Sequence, residues 1–419
     1  MRDPLPSGIE YAQVFRAYKV ELEPNREQIA LFIKHADAAR WAWNYGLGRK
    51  RDVMSLNHLP IERIKIPTTN DLQKEVVQLK ATIHPWLAEV SKEVPQSALD
   101  DLDRAFKNLY ENHAAFPRFK LKKRAKRSFR FNDFNSIRVG DNAIRLPFMG
   151  WVMVKRGQRG YLPQGEQAAV RAISATVSER AERWFVALLV EENPEPVAVP
   201  PDALRVGIDR GLKNLAVLSD GFVVENPRAL ARNERKLKRL QRSLNRKQNG
   251  SANYADAVRR LERYHLHVQN VRKDALHKAT TTLARAKAIY VVETLTVRAM
   301  MANHHLAKSI ADASWAEFVR QLEYKAAWYG SQVVRAHPRF PSSQLCSGCG
   351  RRHSEMKNLD TRTLCCECGL VIDRDLNAAV NLSRWPEVLG TVETPVEAGV
   401  QAARPMPVGE AGTLGSSPN

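Results

Sequence analysis

The first half of the chain shows three successive patterns of apolar and polar positions. Alternating apolar residues predict a strand over positions 14–22. Apolar positions at helical spacing then continue to about residue 113, and Asn25 is expected to cap the first helix with Gln28 as its capping-box partner. Short alternating runs over positions 128–192 predict a β-rich region, either a small barrel or an open sheet.

Four prolines between positions 193 and 201 indicate a linker and a domain boundary. Strands are predicted at 204–208 and 289–292, and Asp220-Gly221 is typical of a type I′ hairpin turn between two further strands. The intervening stretch from about 228 to 287 has a helical period. Strands that alternate with helices indicate an α/β domain in this half of the chain.

Composition restricts the class of protein. The 419 residues suggest about three domains. The longest apolar run, Trp184 to Val190, is far too short to span a membrane, and the first ten residues lack the apolar core of a signal peptide. A net charge of +20 is typical of a protein with a phosphate-backbone partner. Confined cysteines and the absence of a membrane segment predict a cytoplasmic location, at the nucleoid when DNA is bound.

Two basic stretches are candidate nucleic-acid surfaces. Residues 118–130 contain eight basic side chains and no acid, interleaved with phenylalanines, a pattern that suits phosphate contacts and base stacking. Residues 228–247 contain nine basic side chains and one acid at helical spacing. Either stretch could instead be only a solvated surface. The candidate contacts in the first stretch are Arg118, Lys120, Lys122, Lys123, Arg124, Lys126 and Arg127.

All five cysteines lie between positions 346 and 368. Cys346 and Cys349 form one C-x₂-C pair and Cys365 and Cys368 another, so four thiolates can reach one tetrahedral Zn²⁺. Cys366 is interpreted as a spare thiol, because pairing it with Cys368 leaves a shorter turn than usual. Four protein ligands indicate a structural metal.

Three acids occupy positions that favour a second metal site. Asp209 follows one predicted strand, Glu293 follows another, and Asp375 opens a predicted helix. Carboxylates at strand ends converge at one edge of an α/β sheet, and oxygen ligands select Mg²⁺ or Mn²⁺. Taken singly, Asp209 could be a turn residue, Glu293 an internally paired acid, and Asp375 a helix cap.

Five motifs carry a resemblance to a known family. They occur in the family's order, and over about residues 14–385 the chain resembles TnpB, the compact RNA-guided endonuclease of bacterial insertion sequences and a relative of type V CRISPR nucleases. The motifs are Gly207 to Asn214 (GIDRGLKN), Val291 to Leu295 (VVETL), Trp315 to Ala326 (WAEFVRQLEYKA), Pro341 to Gly350 (PSSQLCSGCG) and Asp373 to Ala379 (DRDLNAA).

The resemblance implies a multidomain α/β protein with an RNase H-like RuvC nuclease domain and an inserted zinc ribbon, preceded by a helical recognition lobe and a β-rich wedge domain. It also implies Asp209, Glu293 and Asp375 as catalytic metal ligands, with Asp373 in a supporting role. The expected boundaries are 1–22 and 116–195 for the wedge, 23–115 for the lobe, 202–345 for the nuclease core, 346–368 for the ribbon, 369–385 for the last nuclease segment and 386–419 for a disordered acidic tail.

The expected activity is metal-dependent cleavage of double-stranded target DNA beside a short flanking motif. The chain would be directed by a transposon-derived guide RNA, with catalytic Mg²⁺ or Mn²⁺, structural Zn²⁺ and no membrane partner. Alternatives are a nuclease-independent RNA-guided regulator, a DDE-type transposase, and a zinc-ribbon DNA-binding module. The intact acids argue against the first, and the last leaves most of the chain without a role.

Overall fold

The computed structural model describes residues 14–59, 62–112, 114–122, 125–133, 135–162, 171–192, 197–358 and 360–385. The chain divides into two compact units, Met1–Pro194 and Glu195–Asn419. Within the described ranges, no helix is both long and apolar enough to cross a membrane. The predicted acidic tail, Lys123 and Arg124 lie outside the described residues.

A seven-stranded antiparallel sheet forms the framework of the first unit. The first strand, at positions 14–23, pairs along its length with the strand at 183–192, so the beginning and end of this unit share one sheet. Alternating burial on the strands explains why the apolar alternation of the sequence predicted them. The strands are β1 (Val14–Glu23), β2 (Ser128–Phe131), β3 (Arg138–Val139), β4 (Ala143–Leu146), β5 (Gly150–Val154), β6 (Arg171–Arg180) and β7 (Arg183–Glu192), in the order β2-β6-β7-β1-β5-β4-β3.

Three helices of the first unit pack with this sheet: α1 (Arg26–Leu56), α2 (Thr69–Thr82) and α3 (Glu93–Asn112). The predicted capping box is confirmed, because Asn25 Oδ1 accepts from the Gln28 amide at 2.8 Å and Gln28 Oε1 accepts from the Asn25 amide at 3.1 Å. Phe32 of α1 is fully buried and meets Trp184 of β7 edge-on, with ring centroids 5.0 Å apart. Helix and sheet therefore share one apolar core.

The second unit contains a five-stranded mixed sheet in the order β10-β9-β8-β11-β12. Its strands are β8 (Arg205–Asp209), β9 (Asn214–Leu218), β10 (Val223–Glu225), β11 (Ile289–Val292) and β12 (Gln332–Arg335). The first three form antiparallel pairs, whereas β11 is parallel to both β8 and β12. The β9–β10 hairpin is present, but its turn is not type I′. Gly221 has a φ of 86°, whereas Asp220 has no positive φ, and type I′ requires positive φ at both residues.

Helices and a small hairpin complete the second unit. The helices are α4 (Ala229–Asn245), α5 (Ala252–Arg285), α6 (Val297–Met300), α7 (His304–Ala313), α8 (Trp315–Tyr329) and α9 (Arg374–Ser383). Strands β13 (Thr363–Cys365) and β14 (Val371–Asp373) pair antiparallel and lead directly into α9. Fully buried Tyr290 of β11 donates its hydroxyl to the Leu283 carbonyl of α5 at 2.7 Å, which joins sheet and helix in one core.

Candidate active site and cysteine cluster

Two of the three predicted acids are brought to one sheet edge by parallel pairing. Val292 lies opposite Ile208 in the β8–β11 ladder, so Asp209 and Glu293, the next residues on each strand, leave the sheet side by side. These strands are almost entirely buried, which explains their continuous apolar sequences. The structure therefore places the two acids together although 83 residues separate them in the chain.

Helix α9 brings the third acid to the same edge. It packs against β8 so closely that a Cβ atom on Gly207 would lie 1.9 Å from the Ala379 carbonyl oxygen and 2.5 Å from the Ser383 nitrogen. Only glycine fits this contact. In the loop after β8, a Cβ on Gly211 would lie 3.9 Å from Asp375 Oδ2, so the carboxylate of Asp375 faces the loop that follows Asp209.

The three carboxyls repel one another electrostatically. Burial raises the pKa of Asp209 well above its usual range, and the charges of Glu293 and Asp375 raise it further. Burial likewise raises the pKa of Glu293, against the opposing effect of Arg210. The pKa of Asp375 is raised by burial and by Asp373, against Arg362. These raised pKa values mean that the ionised carboxylates are disfavoured unless positive charge is added beside them.

Arg210, which sequence reasoning overlooked, holds Glu293 in place. Its guanidinium donates to the Glu293 carbonyl oxygen at 2.6 Å, its backbone amide contacts Glu293 Oε1 at 3.4 Å, and its side chain is almost completely buried. Nothing in the sequence marks this role, because Glu293 reaches Arg210 only when β8 and β11 pair. Asp373 caps α9, since its Oδ1 accepts from the amides of Asp375 at 2.9 Å and Leu376 at 3.1 Å.

This oxygen-rich site fits divalent cations. Carboxylates are the ligands that Mg²⁺ and Mn²⁺ prefer, and two such ions lie about 3.5–4 Å apart in phosphodiester-cleaving sites, which requires acids spread over several ångströms. Among the described residues, only a cysteine group has three or more potential ligand atoms that all lie within 4.8 Å of one another.

That group consists of Cys346, Cys349, Cys366 and Cys368. The Sγ atoms of Cys346 and Cys368 are 3.6 Å apart, and those of Cys349 and Cys366 are 3.5 Å apart. Four sulfurs at about 2.3 Å from a tetrahedral zinc would be separated by roughly 3.8 Å. The observed spacing therefore fits a four-thiolate zinc ribbon.

The prediction that Cys365 is a ligand and Cys366 a spare thiol is contradicted by the structure. Cys365 is the last residue of β13, opposite Val371, and its side chain is exposed, whereas the side chain of Cys366 is buried. The second turn begins only at Cys366, whose amide donates to the Leu370 carbonyl oxygen at 2.9 Å. Because alternate strand residues face opposite ways, the residue after Cys365 is the one that points inward.

The described part of the basic segment 118–127 lies along α1 and at the start of β2. Asn44 of α1 exchanges two hydrogen bonds with the Lys120 backbone, at 2.7 and 3.0 Å. The ammonium group of Lys120 lies 3.7 Å from the centroid of the Trp43 ring, and Arg127 pairs with Glu179 at 2.8 Å.

Lys122 remains largely exposed, 3.8 Å from Asp37. Phe116 and Phe119 are also exposed and line a surface cavity of about 590 Å³.

A second, basic cavity opens next to the loop that follows Asp209. It has a volume of about 430 Å³ and is lined by Lys213, Arg228 and Arg232 together with two asparagines and Glu225. Lys213 is close enough to lower the pKa of Asp375. A cationic cavity within electrostatic range of the carboxyls is a suitable place for a phosphate.

The fold and the two clusters define a class of protein: an α/β domain with a mixed sheet, carboxyls at one sheet edge and a cysteine ribbon. Family models match three parts of the chain. A family described as "Probable transposase" matches residues 187–304, and a Cas12f1-like TNB domain matches residues 315–382. A helix-turn-helix domain family matches residues 14–56, which here form strand β1 followed by the single long helix α1.

Several curated proteins match almost the whole chain. A Streptomyces pristinaespiralis protein named "Putative RNA-guided DNA endonuclease" is 34% identical over 88% of this chain and 89% of its own length. The InsQ protein of Escherichia coli K12, which carries the same descriptive name, is 32% identical over 93% of this chain and 96% of its own length. The chain belongs to this family, the TnpB family.

A solved structure supports the fold. The cryo-EM structure of a Cas12f1–sgRNA–target DNA complex superposes with a TM-score of 0.52 at 14% identity, over 88% of this chain and 99% of that chain. The predicted fold class is thereby confirmed.

Proposed function

We propose that this protein is an RNA-guided DNA endonuclease of a transposable element, which cuts target DNA next to a short flanking motif. The observation that carries the proposal is the convergence of Asp209, Glu293 and Asp375 at one edge of the mixed sheet. Two relatives that match most of the chain are named for this activity. In such systems base pairing with the guide reads the target, and the protein reads only the flanking motif.

The three acids are proposed as ligands of catalytic Mg²⁺ or Mn²⁺. Divalent cations at such a site activate a water molecule and stabilise the leaving oxygen of a phosphodiester. The fold positions these ligands: Asp209 and Glu293 follow β8 and β11, Asp375 lies on α9, and Arg210 holds the backbone at Glu293 through a hydrogen bond. The raised pKa values of the carboxyls agree with a site that is completed by positive charge.

Basic surfaces in both units are proposed to hold nucleic acid. In the first unit these are the predicted contacts Arg118, Lys120, Lys122, Lys123, Arg124, Lys126 and Arg127, beside exposed phenylalanines that can stack on bases. In the second unit the cavity with Lys213, Arg228 and Arg232 would receive the phosphates that neighbour the cut position.

The domain assignment is also a proposal. The sheet β1–β7 would be the wedge (1–22 and 116–195), α1 to α3 the recognition lobe (23–115), and the mixed sheet with its helices the nuclease core (202–345). The ribbon would hold structural zinc through Cys346, Cys349, Cys366 and Cys368. Strand β14 continues the ribbon hairpin to Asp373, so the last nuclease segment would consist mainly of α9.

The decisive experiment isolates the protein from its host and sequences any RNA that co-purifies. The purified complex is then mixed with a DNA library that carries the sequence complementary to this RNA beside randomised flanks, in the presence of Mg²⁺. We expect one discrete RNA and double-strand cuts that require a defined flank. The Asp209→Ala protein should bind the same DNA without cutting it.

Two rival functions predict different outcomes. A nuclease-independent RNA-guided regulator would bind the target, but the wild-type complex would not cut it. A DDE-type transposase, the activity that agrees with the description "Probable transposase", also uses three acids. It would purify without a discrete RNA and would join DNA strands rather than release hydrolysed ends.

A further inference from the structure

One helix carries a proposed catalytic acid and also binds the cysteine ribbon. Asn377, two residues after Asp375 on α9, is fully buried. Its Oδ1 accepts from the Ser347 amide at 2.9 Å, and its Nδ2 donates to the Leu345 carbonyl oxygen at 2.7 Å. Leu345 and Ser347 flank Cys346, so the Asn377 side chain forms hydrogen bonds with the backbone on both sides of this cysteine.

Further hydrogen bonds join the rest of α9 to the same cysteine turn. Asn381, one turn after Asn377 and almost fully buried, donates from Nδ2 to the carbonyl oxygens of Ser342 at 2.8 Å and Leu345 at 2.7 Å. Near the end of α9, Arg384 donates to the Ser347 carbonyl oxygen at 2.5 Å. The first cysteine turn is therefore bound to α9 over two helical turns, through two buried asparagines and the exposed Arg384.

The other side of the ribbon holds the beginning of α9. Strand β14 continues into the helix, and the Arg374 amide donates to the Arg362 carbonyl oxygen at 2.8 Å. The Arg374 guanidinium donates to the Asn358 carbonyl oxygen at 2.8 Å. The guanidinium of Arg362, which precedes β13, lies 3.5 Å from Asp375 Oδ1. Ribbon atoms thus contact α9 before, at and after the carboxylate.

We infer that the cysteine ribbon is a positioning element for Asp375, and that Asn377 is the positioning residue that connects the two. The thiol cluster holds Cys346, Asn377 holds the peptides around Cys346, and the first turn of α9 sets where the carboxylate points. Since metal sites lose function when a ligand moves by about 1 Å, this connection makes catalysis depend on the ribbon. The inference rests on the proposed function of Asp375 as a metal ligand.

The test compares Asn377→Ala with Asn270→Ala in the complete complex with its RNA. Asn270 is an exposed asparagine within α5, outside both the connection and the basic stretch 228–247, so it is a matched change. Zinc per chain, target binding, single-turnover cleavage, and Mn²⁺ affinity by electron paramagnetic resonance are measured for each. For Asn377→Ala we expect unchanged zinc and target binding, a cleavage loss of at least about 30-fold, and at least about tenfold weaker Mn²⁺ binding.

Asn381→Ala is the second variant, and it keeps the inference falsifiable if Asn377→Ala does not fold. It removes the contacts farther from Asp375, so the same pattern is expected with a cleavage loss of about 3- to 10-fold. Cleavage and Mn²⁺ affinity equal to those of the wild type in either folded variant would overturn the inference. Loss of zinc and target binding together with cleavage would also overturn it, because Asn377 would then only stabilise the fold. A wild-type complex that does not cut refutes the proposed function instead.

Discussion

The cysteine cluster and the carboxylate cluster lie in the same unit, but they are built in opposite ways. The four grouped thiols come from one stretch between positions 346 and 368, whereas the acids come from β8, from the end of β11 and from α9, between positions 209 and 375. The thiols are brought together by two short turns. The acids are brought together only when two distant strands pair and a helix packs across them.

The comparison shows that ligands lying close together in the sequence are not assigned more reliably than ligands lying far apart. The structure brings the three acids to one edge of the sheet, and a strand end is a marker that tolerates an error of one residue. In the ribbon an error of one residue exchanges an inward thiol for an outward one, and this happened at Cys365 and Cys366. A local site depends on the backbone register, which the spacing of cysteines leaves open.

The largest effect should come from the acids. Asp209→Ala, Glu293→Ala and Asp375→Ala should each reduce single-turnover cleavage by at least about 10³-fold, and combinations should cost little more, because ligands of one cluster act as a unit. RNA and target binding, measured by filter binding, should survive. Chelating the divalent cation should reproduce the defect, and Ca²⁺ should support binding better than cutting.

Asp373→Ala is the control for the acid series. It removes the helix cap rather than a proposed ligand, a change that typically costs about 1 kcal/mol of stability, so partial activity should remain. If Asp373→Ala is inactive while Asp375→Ala still cuts, the third ligand is misassigned.

The next effect concerns the thiols. Cys366→Ser should lose stoichiometric zinc and unfold the ribbon, because metal binding is part of its folding free energy, whereas Cys365→Ser should retain one zinc per chain. Metal analysis and thermal unfolding measure both variants. The reverse result would restore the simpler C-x₂-C assignment and place Cys366 outside the site.

An intermediate effect is expected from the contact between α9 and β8. Gly207→Ala forces a methyl group into the Ala379 backbone, which should cost about 1–3 kcal/mol and displace Asp375, so both the free energy of unfolding and the cleavage rate should fall. Gly48→Ala in α1 adds the same methyl group where no atom lies within 4 Å, and should leave both quantities at or above the wild-type value. Wild-type cleavage by Gly207→Ala would show that the acids tolerate a shifted helix.

The smallest effect is expected from the basic segment. Reversing the charges of Lys120 and Lys122 should weaken RNA binding without changing the bound zinc. It should also flatten the dependence of log K on log salt by roughly 0.7–0.9 per lost phosphate contact. Filter binding over a salt series measures this slope. An unchanged slope would place these side chains away from the RNA.

Two arginines of the site had no clear sequence signal, and both contact acids that lie far away in the sequence. Arg210 and Arg362 act on acids that are distant in the chain, so their roles exist only after β11 and the ribbon reach their places. Asn377 and Asn381 did leave a trace: two asparagines four residues apart face the same side of an amphipathic helix. Buried amides at that spacing indicate a polar contact to another backbone, although not which backbone.

The sequence by itself predicted the main elements, a boundary at 193–201 and the family resemblance, and it proposed the three acids, because periodicity, proline clusters and strand-end motifs are local properties. Only the tertiary structure decided which cysteine faces inward, how closely α9 approaches Gly207, and that the ribbon and Asp375 are joined through Asn377. These features depend on register and on contacts between distant segments. Their free energies come from burial and from hydrogen bonds that do not exist until the chain has folded.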